Sequence, residues 1–155
     1  MASDWVKKYM QSWKADDKKL DADLRRADFV AENSPPFFKA LWDQVNNDLK
    51  AFYEGGGDSR LIGQFVPSRK FVVTRRDFPM IELNVTLGNG YIEYVCKSKF
   101  DHASSFDPEA TGQLIITSDL QGRLQVRRNG EPYADHSELS EFLLTPVFEY
   151  TKRNR

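Results

Sequence analysis

The stretch that most constrains the fold is residues 80–100, where apolar and polar side chains alternate on both sides of a glycine-rich break. The apolar members of its first half occupy every second position, as in a strand with one buried face: Ile81, Leu83, Val85 and Leu87. Gly88-Asn89-Gly90 follows, and these residues tolerate the positive φ that a tight hairpin turn needs. A second alternating run places Ile92, Tyr94 and Cys96 on one face. Because two strands cannot bury a face alone, the hairpin requires a larger antiparallel sheet and a covering layer.

Runs of similar composition on both sides of this hairpin predict the rest of the sheet. Residues 61–66 and 70–75 indicate two strands before it, and residues 114–117 and 123–128 indicate another hairpin after it. The intervening residues 101–111 are polar and indicate a loop. The total is a sheet of five or six antiparallel strands.

The first third of the chain carries helical periodicity. Ser3 is placed as an N-cap, and an apolar stripe at helical spacing follows it: Trp5, Val6, Tyr9, Met10, Trp13, Leu20, Leu24 and Ala27. Asp16 and Asp17 interrupt the stripe, which predicts a long first helix with a solvated middle.

Two further helices have clear start signals. Ser34-Pro35-Pro36 is typical of an N-cap followed by proline in the first turn, and the apolar stripe after it ends at the glycines of residues 55–57. Asp135 and Glu138 have capping-box spacing and predict a short terminal helix, which Pro146 is expected to end or kink.

These elements predict one α+β domain over residues 1–155, with helices packed on one face of the sheet. We expect a helical part at 1–59, an antiparallel sheet at 60–133, a terminal helix at 134–150 and a polar tail at 151–155. This order resembles that of cystatin-like and NTF2-like domains, in which N-terminal helices lie across a curved sheet. The resemblance is one of architecture and implies no particular function.

Composition narrows the functional class. The formal net charge is −1, without the basic clustering expected for nucleic-acid binding, so we do not expect nucleic acid as a partner. No apolar run reaches the roughly 18–20 residues of a membrane span. The absence of a secretory signal at the start and the single cysteine, Cys96, favour a cytoplasmic location.

Few residues are candidates for catalysis or metal binding, and most of these have a structural interpretation. Cys96 shares a strand face with Tyr94, where core packing is favoured over a reactive thiol. His102 and His136 each follow an aspartate, but neither has the spacing of a metal site, so we predict no metal and no cofactor. Should the protein be an enzyme, the first residues to test are Tyr94, Asp101 and His102, at or just beyond the end of a central strand.

The functional prediction is therefore a small soluble non-catalytic binding protein. Its partner would be another protein or a second copy, engaged through the mixed-charge first helix or an exposed sheet edge. The alternative is a pocket between the helices and the sheet that binds or transforms a small apolar ligand, as the cystatin-like or NTF2-like architecture would allow.

Overall fold

A seven-stranded antiparallel sheet in sequential order carries a long helix and a shorter helix on one face. The computed structural model describes residues 3–57, 60–75, 80–99, 107–118, 122–128, 130–133 and 135–153. Its elements are α1 (Asp4–Glu54), β1 (Leu61–Val66), β2 (Lys70–Arg75), β3 (Met80–Leu87), β4 (Tyr91–Lys99), β5 (Asp107–Ser118), β6 (Leu124–Arg128), β7 (Glu131–Tyr133) and α2 (His136–Arg153). The α+β class is confirmed, and the described sheet has seven strands where five or six were expected.

The central hairpin has the predicted apolar face. Leu83 lies opposite Cys96 and Val85 opposite Tyr94, so the apolar residues of β3 and β4 share one face. Gly90 in the connecting turn has a φ of 82°, a conformation that glycine adopts without steric cost. Every neighbouring pair of strands along the sheet is antiparallel, which is the expected arrangement for strands joined by short turns.

The extra strand is at the end of the sheet. Residues 131–133 form the short β7, which pairs with β6 and was not predicted. In addition, β5 begins at Asp107, inside the segment that the sequence indicated as a loop. Residues 107–112 are rich in turn-forming types, but pairing with β4 through a register shift beside Cys96 makes them part of the sheet.

The prediction of two N-terminal helices is wrong, because α1 is continuous through Ser34, Pro35 and Pro36. The Ser34 side chain is buried and donates to the Val30 carbonyl within the helix, so it does not act as an N-cap. Pro35 and Pro36 remove two backbone donors. Residues 31 and 32, whose carbonyls lose these partners, are exposed, so water can bond to them.

The core lies between the sheet and the second half of α1, with α2 alongside. Phe38 packs against Phe71 of β2 with ring centroids 5.3 Å apart, and Trp42 stacks on Phe65 of β1 at 5.7 Å. The two helices meet where Phe52 and Phe148 stack with centroids 4.0 Å apart.

The terminal helix begins as predicted. The Glu138 backbone N–H donates to Asp135 Oδ1 at 2.9 Å, which satisfies one of the unpaired donors of the first turn. Leu139, Leu143 and Val147 are buried against the sheet side. The helix continues through Pro146 to Arg153, so this proline does not end it, and residues 151–153 are helical where a tail was expected.

Candidate functional site

The first half of α1 extends away from the sheet as a bare helix. We call residues 4–29 the arm and the remaining described residues the body. Each arm residue is exposed except Val6, which is half-buried, whereas Val30 is the first buried residue of the helix. At 1.5 Å per residue the arm is about 39 Å long.

The arm exposes large apolar side chains of the kind that proteins normally bury. Trp5 is 70% exposed, Trp13 57%, Leu20 58% and Leu24 54%. Tyr9 lies beside Trp13 on the same side of the helix, with ring centroids 6.2 Å apart. A run of exposed aromatic and aliphatic groups on one helix face is typical of an interaction surface, because isolated helices gain most of their stability from packing such a face.

A cavity lies at the base of the arm, where α1 meets the end of the sheet. It has a volume of about 430 Å³ and is lined on the helix by Arg26, Ala27 and Val30. On the sheet side its walls are the β3–β4 turn at Asn89 and Gly90 and the last residues of β5, 116–118. The exposed apolar face of the arm therefore leads into a recess of the body.

A second cavity of about 320 Å³ lies between the sheet and α2. Tyr94 and Cys96 of β4 line it together with Arg128 and Phe142. The Arg128 guanidinium is 4.5 Å from the centroid of the Phe142 ring, and Tyr94 meets the same ring edge-on at 5.3 Å. This arrangement gives the cavity an aromatic wall with one cationic group.

Gly112 of β5 belongs to the same aromatic arrangement. A Cβ atom at this position would lie 2.6 Å from the Tyr94 hydroxyl oxygen, so the tyrosine ring lies directly over the glycine. Glycine permits this close approach of a side chain to the neighbouring strand.

The residues singled out for catalysis are only partly placed by the structure. Asp101 and His102 lie outside the described residues. Tyr94 is 4% exposed on the core face, and Cys96 is fully buried there, as core packing requires. His136 is half-buried: its Nε2 lies 3.2 Å from the Phe37 carbonyl oxygen, and its ring packs on that of Phe37. This histidine connects α2 to α1.

The outer face of the sheet is mixed in character. Glu82 lies opposite Lys97 across β3 and β4, a favourable cross-strand charge pair. Lys97, Arg123 and Arg127 are exposed, while Tyr94 is buried on the opposite, core face of the sheet. The face therefore lacks an aromatic platform from Tyr94 for stacking bases.

Two kinds of feature are absent from the described residues. No helix in these ranges is long and apolar enough to cross a membrane. No group of three or more His, Cys, Asp or Glu side chains within the same ranges could hold a metal ion.

Comparison of the chain with known protein families, with curated proteins and with solved structures finds no match. The resemblance to cystatin-like and NTF2-like domains is therefore one of element order alone. The functional interpretation depends on the exposed arm and on the two cavities.

Proposed function

We propose that this protein is a binding protein that engages a helical segment of a protein partner through the apolar face of its arm. The observation that carries the proposal is the exposure of Trp5, Trp13, Leu20 and Leu24 along one helix. Two helices that pack such faces together remove apolar area from water, and each interface residue then contributes to affinity.

Charge supports a protein partner over a purely apolar ligand. The arm interleaves its apolar residues with acidic and basic side chains along its whole length, including Asp21, Asp23, Arg25 and Arg26. Such charges flank the seam in paired helices and contribute to the choice of partner and orientation.

The test compares two triple variants of the full chain. The arm variant carries Trp13→Ser, Leu20→Ser and Leu24→Ser. The matched control has the same number of serines at exposed positions on the other side of the same helix: Gln11→Ser, Ala15→Ser and Ala22→Ser. Neither set changes the net charge, and both weaken intrinsic helix formation.

We expect the arm variant to lose the associations of the wild-type chain, measured by analytical ultracentrifugation and by cross-linked partner capture in the source cells. The control should retain them, because its substitutions leave the apolar face intact. If the wild type, the arm variant and the control variant all self-associated and captured partners to the same extent, the proposal would be refuted.

A second function has one observation in its favour, the cavity between the sheet and α2. Its volume of about 320 Å³ and its lining by Tyr94, Arg128 and Phe142 suit a small ligand with an apolar body and an anionic or polar group. Native mass spectrometry before and after denaturation tests this candidate. A small molecule that is retained in the native spectrum and lost on unfolding would support it, and a bare chain of 17.9 kDa or its bare oligomer would count against it.

A further inference from the structure

Between Val6 and Val45, one seven-residue frame includes several apolar residues of the arm and four of the buried residues of the same helix. With Met10 assigned to position a, residues 6, 13, 20 and 27 occupy d, and residues 17, 24 and 31 occupy a. In the second half of the helix the same frame places Ser34, Phe38, Leu41 and Val45 at d and a, and all four are buried under the sheet. We call this row of a and d positions the seam. The body covers the seam in the second half of the helix, whereas in the arm the seam is exposed.

The charges beside this open seam disfavour one arrangement of two arms. In a parallel pair, each g residue faces the next e residue of the other helix. Asp16 would then face Asp21 of the second copy, and Asp23 would face Asp28. Each contact occurs twice by symmetry, so the parallel pair brings together only like charges at these positions.

An antiparallel pair gives a different result. In this orientation e residues face e residues, and the e positions of the arm are Lys7, Lys14, Asp21 and Asp28, all exposed. When Asp17 is set opposite Leu20 of the second copy, Lys7 meets Asp28 and Lys14 meets Asp21. Each pair occurs twice, so every e contact joins opposite charges.

The same register fills the seam with complementary sizes. Trp13 faces Leu24 of the second copy, and Met10 faces the small Ala27. The contacts between g positions are less favourable, because the negatively charged Asp16 faces Asp23 of the second copy. Antiparallel registers shifted by one heptad either way bring Lys14 against Lys14 or Asp21 against Asp21, so they lose the complete e pairing.

The cavity at the base of the arm supports this register independently. It is lined by Ala27 and Val30, and in the antiparallel pair Tyr9 and Met10 of the second copy lie at that level. Tyr9 occupies position g, on the flank where Val30 also lies. The aromatic tip of one arm therefore reaches the recess of about 430 Å³ in the other body.

We propose that the arm binds the arm of a second copy of this chain, antiparallel, with Asp17 opposite Leu20 and the tip of each arm at the base of the other. This inference depends on the proposed function, since it names the partner of the same surface. The symmetric pair uses both features that the isolated chain leaves open, the apolar seam and the recess.

The test exchanges charge signs on the e flank of the full chain. One variant carries Lys7→Asp and Lys14→Asp, so its four e residues are acidic. The other carries Asp21→Lys and Asp28→Lys, so its four e residues are basic. We expect each variant alone to self-associate about 30-fold or more weakly than wild type, because each pairs four like charges where wild type pairs four opposite ones. An equimolar mixture should form a heterodimer of wild-type affinity, resolved by mass in native mass spectrometry.

The outcomes separate this inference from the proposed function. Tighter self-association of the basic-flank variant would indicate a parallel pair, because its lysines would face Asp16 and Asp23, and would overturn the inference. A wild-type chain that stays monomeric at every concentration would also overturn it. The proposed function would survive that result if the serine arm variant still lost a captured partner that wild type retains. If the monomer instead bound phosphatidylserine-containing vesicles by its arm, so that it sedimented with them, both proposals would be overturned.

Discussion

Leu20 and Leu41 provide a direct comparison of the two halves of α1. Both are leucines at position d of the same helix, yet Leu20 is 58% exposed and Leu41 is fully buried. Leu41→Ala removes buried methyl groups and leaves a cavity, which costs about 2–5 kcal/mol of folding free energy. Leu20→Ala leaves no cavity in the single chain, so its effect should stay within about 0.5 kcal/mol.

For a chain of this length the Leu41→Ala cost corresponds to a fall in Tm of roughly 4–20 °C. The assay is thermal denaturation followed by far-UV circular dichroism, at the lowest concentration that gives a signal. On raising the concentration, the Tm of wild type should rise above that of Leu20→Ala, because association stabilises the native state.

A large loss of stability in Leu20→Ala at high dilution would refute this reasoning. It would mean that the arm packs against its own body in the single chain. Equal Tm values of wild type and Leu20→Ala at every concentration would count against the arm as a self-association surface.

Three further predictions concern single positions. Gly112→Ala should destabilise the body, because the new Cβ would lie 2.6 Å from the Tyr94 hydroxyl oxygen, and an unchanged urea midpoint would contradict the packing described here. Asp135→Ala should cost about 1 kcal/mol by removing the cap on the Glu138 N–H, whereas Asp135→Asn should retain most of it; equal losses in both would refute the cap. Asp17→Leu should tighten dimerisation and broaden the range of arm registers, as polar residues at a positions set register at a cost in stability. Weaker association of Asp17→Leu would contradict an apolar seam at that position.

The sheet was the more predictable part of the fold. Strict alternation in residues 81–87 and the glycines of the following turn determine the register of β3 and β4, because a slip of one residue would expose Ile81, Leu83 and Val85. The short β7 was missed because its three residues, one of which is Pro132, are too few to show an alternating pattern, and its pairing with β6 is a tertiary effect.

The helix boundary at Ser34 could not be resolved from local signals. Ser-Pro-Pro is a typical helix start, but the same residues are compatible with a helix interior when the carbonyls that lose donors face water. The stripe before residue 34 and the stripe after it share one frame, and this continuity was the available signal for a single helix.

The candidate site was half predicted. The mixed-charge first helix was expected to engage a partner, but an apolar stripe with Trp5 and Trp13 is equally typical of a covered core helix. Only the three-dimensional arrangement shows that the sheet begins to cover α1 at Val30 and leaves the arm open. The cavity lined by Tyr94 required structure for the same reason, since periodicity does not distinguish a filled core from a hollow one.

The most direct test of the antiparallel pair is disulfide cross-linking between two single-cysteine additions to the full chain. Met10→Cys and Ala27→Cys lie in one layer of the proposed seam, and the native Cys96 is fully buried. Under mild oxidation, a mixture of the two variants should yield the mixed disulfide dimer well above the level of either variant alone or of wild type. Cross-linking of Met10→Cys to itself, or no cross-link above the wild-type level, would contradict the account.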